Sequence, residues 1–147
     1  MSVLILDNKR IFLDGIRNYE LGSDKLYYRN DKEVESFFFI PLTKEDELWS
    51  ECSFKYLYIK MFNGKSYKFF SDKKLHDLME EMGNYFEEAD IDVENYNDSE
   101  YIEGVLEEDE HLRKAVKSYV RIRKKFIFVK QDISDIANRL DNAFGTI

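Results

Sequence analysis

The side chains able to do covalent or metal chemistry are few and scattered. Two histidines, His76 and His111, and one cysteine, Cys52, occur in 147 residues. Neither histidine stands in a zinc spacing such as His-Glu-x-x-His, and a lone cysteine cannot form a Cys-x-x-Cys clamp. A Cys52–His76 or Cys52–His111 dyad would need distant residues to meet, and no local pattern marks a nucleophile. Loops that cradle phosphate need clustered glycines, whereas the six here stand singly at 15, 22, 64, 83, 104 and 145. The run Asp90-Ile91-Asp92-Val93-Glu94 imitates the start of a calcium loop. Counted from Asp90, position six is Asn95 instead of glycine, and position twelve is Tyr101 instead of a bidentate glutamate. The sequence therefore marks no catalytic residue, no metal centre and no cofactor, and the expectation is a non-catalytic binding protein, with an enzyme of unrecognised class as an alternative.

What the chain concentrates is charge. The net charge is −8. Residues 1–71 are balanced, with eleven acids and eleven bases. Residues 72–110 carry sixteen acids against Lys73 and Lys74, and residues 111–130 carry eight bases and no acid. Blocks of one sign attract partners of the other and speed the encounter. Proteins that handle nucleic acids present positive clefts, which an acidic decoy can fill by imitating spaced phosphates. The expected contact set is Glu80, Glu81, Glu87, Glu88, Asp90, Asp92, Glu94, Asp98, Glu100 and Glu103, with Tyr85, Tyr96 and Tyr101 as aromatic anchors. The competing expectation is that the acidic and basic blocks face each other within the fold. The basic stretch Arg113–Lys130 interleaves Tyr119, Phe126 and Phe128, a pattern able to stack single-stranded nucleic acid. The neighbouring acidic block repels phosphate across a Debye length of about 8 Å, so the expected partner is a protein with a basic surface rather than nucleic acid or a membrane.

The elements that must hold these groups are legible from periodicity. Residues 3–6 and 10–13 flank Asp7-Asn8-Lys9, and residues 25–29 and 34–40 flank Asn30-Asp31, both with hairpin chemistry. Pro41 closes the second pair, and Thr43 with Asp46 resembles the cap of a short helix holding Leu48 and Trp49. The clearest hairpin is 54–62, Asn63-Gly64, 65–70, where a type I′ turn is expected. Phe54, Tyr56, Tyr58, Lys60 and Phe62 share one face and Lys55, Leu57, Ile59 and Met61 the other. Both faces are largely apolar, so this strand belongs inside its sheet.

From Ser71 the period changes to helical: Leu75, Leu78, Met79, Met82, Phe86 and Ala89 form an inward stripe with Glu80, Glu81, Glu87 and Glu88 on other faces. A polar connection over 90–99 leads to a second helix, capped by Ser99, with Ile102, Val105, Leu106, Leu112, Val116 and Tyr119 inward. Residues 126–129 read as a strand, and 134–144 as a helix with Ile133, Ile136, Ala137 and Leu140 inward and Gly145 as its C-cap. The expectation is one α+β domain over 1–147, with a subdomain seam near 90. Its antiparallel sheet has about 5–7 strands, from residues 3–70 and 126–129, and is packed by amphipathic helices.

Composition bounds the setting. At 44% hydrophobic and 16% aromatic the chain can bury a core without disulfides. The apolar run before Asp7 is too short for a signal peptide, and one cysteine suits a reducing cytoplasm. Over residues 1–90, hairpins ending in Asn63-Gly64 before an amphipathic helix resemble pleckstrin-homology-like domains. The same pattern, with its acidic surface and aromatic strands, resembles small bacterial immunity proteins. The first resemblance implies a protein- or peptide-binding module, the second a stoichiometric inhibitor. The reading preferred on charge is an inhibitor of a nucleic-acid-directed effector, of the kind exemplified by immunity proteins and phage anti-defence or anti-CRISPR proteins.

Overall fold

A computed structural model describes residues 3–30, 48–94 and 110–145. Its elements run β1 (Val3–Leu6), β2 (Lys9–Phe12), a 3-10 turn (Leu13–Gly15), β3 (Ile16–Arg29), β4 (Trp49–Met61), β5 (Ser66–Phe70) and α1 (Lys73–Glu88). They continue with α2 (Glu110–Lys125), β6 (Ile127–Phe128) and α3 (Ile133–Phe144). The fold is α+β, but its strands form two sheets: β1–β2 alone, and a four-stranded sheet in the order β3-β4-β5-β6. The β5–β6 pairing is parallel, with Phe69 opposite Ile127. This corrects the expected single antiparallel sheet of 5–7 strands. A parallel neighbour requires a long crossover, and the chain between β5 and β6 contains α1 and α2.

Turn chemistry explains the hairpins. Asp7 is left-handed at φ 52° and Leu6 pairs with Lys9, so a two-residue turn starts β2 one residue earlier than expected. After β4, Gly64 alone is left-handed, at φ 91°. The Met61 amide donates to the Lys65 carbonyl at 2.8 Å, closing a three-residue loop rather than the expected two-residue I′ turn, which needs two positive φ values. Leu57 pairs with Phe69 and Lys60 with Ser66. Trp49 opens β4 instead of belonging to a helix. Leu48, just before it, has 3-10 geometry, while residues 43–47 of that proposed helix, the strand at 34–40 and the cap at Ser99 lie outside the described residues. No helix among the described residues is long and apolar enough to cross a membrane.

The chain divides into two compact units, one of residues 1–24, 54–76 and 125–147, the other of 25–53 and 77–124. In the first, Leu4, Leu6 and Ile11 from the β1–β2 hairpin join Leu57, Ile59 and Phe69 from the sheet and Val129, Ile133, Ile136 and Leu140 around α3. Asp132 caps α3 by accepting from the Ser134 amide at 2.9 Å. Ser71 Oγ accepts from the Ile133 amide at 3.0 Å, and Asp72, not Ser71, caps α1 by accepting from the Leu75 amide. The Tyr19 hydroxyl donates to Asp141 at 2.6 Å. That bond, with burial and the carboxylate charge, raises the phenol above its ordinary pKa. On the other sheet face Phe54, Phe70, Phe126 and Phe128 pack as tilted and edge-to-face rings, 5.3–5.8 Å apart by centroid.

In the second unit Leu26, Met82, Phe86, Ala115, Val116, Tyr119 and Ile122 are buried. Ser118 is buried but satisfied: its Oγ accepts from the Tyr27 amide at 3.0 Å and donates to the Ala115 carbonyl at 3.1 Å. Leu78 and Met79, expected inward on α1, are only half-buried, and Ala89 is exposed just past the last turn. At about 100° per residue, positions 78 and 79 flank the arc held by Leu75, Met82 and Phe86. Gly83 in mid-helix has a packing reason. A Cβ there would stand 2.8 Å from the Tyr119 hydroxyl, with the next ring atom at 3.7 Å.

Two stability measurements check this packing. Leu57 is fully buried, so Leu57→Ala should lower the denaturant-derived unfolding free energy by about 2–5 kcal/mol. Gly83→Ala alone should destabilise the protein, although alanine is favoured in a helix. In a Tyr119→Phe background the same change should stabilise by up to about 1 kcal/mol, because the only close atom is gone.

Candidate functional site

The expected acidic contact residues that are described all belong to the second unit. Glu80, Glu81, Glu87 and Glu88 follow one another along α1 at helical spacing and are exposed. With Asn84 they cover an arc of about 120°, opposite Met82 and Phe86, whose burial turns that arc outward. Asp90, Asp92 and Glu94 continue the acidic surface past the helix end, also exposed. Tyr96, Asp98, Glu100, Tyr101 and Glu103 lie outside the described residues.

The end of α1 is built in a specific way. The Asp90 amide donates to the Glu87 carbonyl at 3.2 Å, and the Ile91 amide to the Phe86 carbonyl at 2.9 Å. Asp90 is left-handed, at φ 55°. These bonds form a Schellman motif with aspartate in the position that glycine usually takes. The last turn has no basic residue, so Glu87 and Glu88 sit at the negative end of the helix dipole. The carboxylates of Glu87, Glu88 and Asp90 have no ion pair or hydrogen bond among the described residues. Glu94 differs, since it pairs with Arg123 of α2. Among the described residues, Glu94 of the acidic block thus meets a base of the basic block, Glu80, Glu81 and Asp92 are engaged as well, and the helix-end carboxylates are not.

Tyr85 is not a free anchor. It is half-buried, its hydroxyl accepts from Arg29 at 3.3 Å, and its ring meets the edge of Trp49 at 6.5 Å. Trp49, Tyr27 and His111 are nearly parallel rings with centroids 5.7–6.0 Å apart. The Tyr27 hydroxyl is hydrogen-bonded to His111 Nδ1, and Arg29 lies 5.9 Å from the Trp49 ring. Sequence reading missed this cluster. Its members come from β3, β4 and α2, and no spacing along the chain announces them. The signal available was compositional: the only tryptophan and one of two histidines.

Charge follows the division of the chain more sharply than it follows sequence blocks. The first unit holds twelve bases and eight acids, a net +4, and the second ten bases and twenty-two acids, a net −12. The acidic arc of α1 therefore stands in a unit that is acidic as a whole. Comparisons with protein-family models, with curated proteins and with solved structures find no match to this chain, so the site is argued from its own geometry.

Proposed function

We propose that the protein is a non-catalytic binder that docks the acidic face of α1 and its C-terminal turn on a basic surface of another macromolecule, and so blocks that surface. The observation that carries this reading is the end of α1. Glu87, Glu88 and Asp90 are exposed, without salt-bridge partners among the described residues, at the pole of the helix where negative charge is least favourable. A sequence optimised only for stability would place lysines and a glycine there. Carboxylates held ready and uncompensated are what a cationic partner can pair with at little desolvation cost to internal ion pairs. A nucleic-acid-directed effector, whose phosphate-binding cleft is positive, is the class of target that fits.

The test separates function from stability. In the variant Glu87→Gln/Glu88→Gln/Asp90→Asn the helix end should gain roughly 0.5–2 kcal/mol, seen as a higher Tm, because repulsion falls and asparagine suits the left-handed position better. A basic protein captured from source-cell lysate by the parent, and released by salt, should bind the variant about tenfold or more weakly with slower association. A variant that is less stable, or that captures the same protein equally well, overturns the reading.

A further inference from the structure

The first unit carries a surface of the opposite kind. On β4, Tyr56, Tyr58 and Lys60 alternate onto one sheet face, and on β5 Lys68 stands directly opposite Tyr58 on that face. The Lys68 ammonium lies 5.2 Å from the Tyr56 ring, 6.0 Å from the Tyr58 ring and 5.3 Å from the Phe126 ring. Phe62, at the hairpin end just beyond Lys60, is 70% exposed, which is uncommon for a phenylalanine this close to a core. Among the described residues, neither Lys60 nor Lys68 has a carboxylate partner, and the Tyr58 hydroxyl has no hydrogen bond.

We propose that this sheet face, at Tyr58, Lys60 and Lys68, together with the exposed Phe62 ring in the adjoining turn, binds single-stranded nucleic acid. The Tyr58 ring on β4 and the Phe62 ring in the turn offer stacking surfaces to unpaired bases, and the Lys60 and Lys68 ammonium groups, which have no carboxylate partner among the described residues, meet the backbone phosphates. An acidic peptide could satisfy the lysines but presents no succession of flat faces to Tyr58 and Phe62. The surrounding unit is net positive, so a polyanion approaches it favourably despite the overall charge of −8. This departs from the expectation of a protein partner without direct nucleic-acid contact, which weighs the basic stretch Arg113–Lys130 against the acidity of the chain. Different residues are involved here, supplied by the β4–β5 hairpin. The inference does not depend on the acidic face of α1: the Glu87/Glu88/Asp90 variant should leave this binding intact.

Fluorescence anisotropy with a labelled oligothymidylate of about twelve nucleotides, and with an abasic strand of the same length, tests the proposal. The parent should bind the thymidylate at least about tenfold more tightly than the abasic strand, because stacking supplies the difference. With two phosphates neutralised, raising salt from about 50 to 200 mM should weaken binding roughly sevenfold. Lys60→Gln/Lys68→Gln should remove most of that salt response. Phe62→Leu, at a site too exposed to threaten folding, should weaken thymidylate binding severalfold and leave the abasic strand unchanged. Circular dichroism confirms that each variant is folded. Equal affinity for the two strands, indifference to both variants, or no binding to either strand overturns the proposal.

Discussion

The first unit depends on a strand pair that has to be covered from both sides. Phe69 and Phe70 are consecutive on β5 and both are buried, and side chains in a strand alternate between faces. On β4, Leu57 and Ile59 turn to one face while Phe54 turns to the other. One cover is the β1–β2 hairpin with α3, and the other is the ring cluster of Phe54, Phe70, Phe126 and Phe128. The parallel strand β6 serves both: Val129 just after it joins the first core, and Phe128 within it packs on Phe70. Each cover contributes apolar burial that neither could supply by itself.

The second unit is governed more by charge. Its helices bury only one stripe each, and twenty-two acids against ten bases leave their outer faces under mutual repulsion. Internal compensation is selective: Lys25 lies 3.2 Å from Glu51, Arg121 donates to the Lys25 carbonyl, and Arg123 holds Glu94. Basic side chains of α2 are thus drawn into the unit's own polar network. Among the described residues the C-terminal end of α1 receives no such help, and that difference is what makes its carboxylates stand out.

Periodicity carried most of the element reading. The helical stripe of α3, with Ile133, Ile136, Ala137 and Leu140 buried, and the placement of β4 inside its sheet are legible in the sequence. The first half of β3 was not visible, because Arg17, Asn18, Glu20, Leu21 and Ser23 are exposed and give no alternation. Strand β6 was legible as a strand but not in its direction, which is set by a partner far away in sequence. Trp49 was misplaced because a capping pattern upstream outweighed the aromatic alternation that follows it. At the site, residue types gave the list of acids. The left-handed Asp90 and the unpartnered state of its neighbours depend on backbone bonds and distances that composition does not encode.

The three-part composition of the first unit has a consequence for how the chain is made. Leu4, Leu6 and Ile11 leave the ribosome early, yet the core they enter also needs Val129, Ile133, Ile136 and Leu140. The 25–53 and 77–124 segments of the other unit are synthesised in between. A two-stranded hairpin is marginal in water by itself, so the β1–β2 pair waits first for Leu57, Ile59 and Phe69 of the sheet and then for the residues around α3 before its apolar side chains are fully covered. The core of the first unit is therefore closed last by Val129, Ile133, Ile136 and Leu140, more than a hundred residues after the hairpin that it covers.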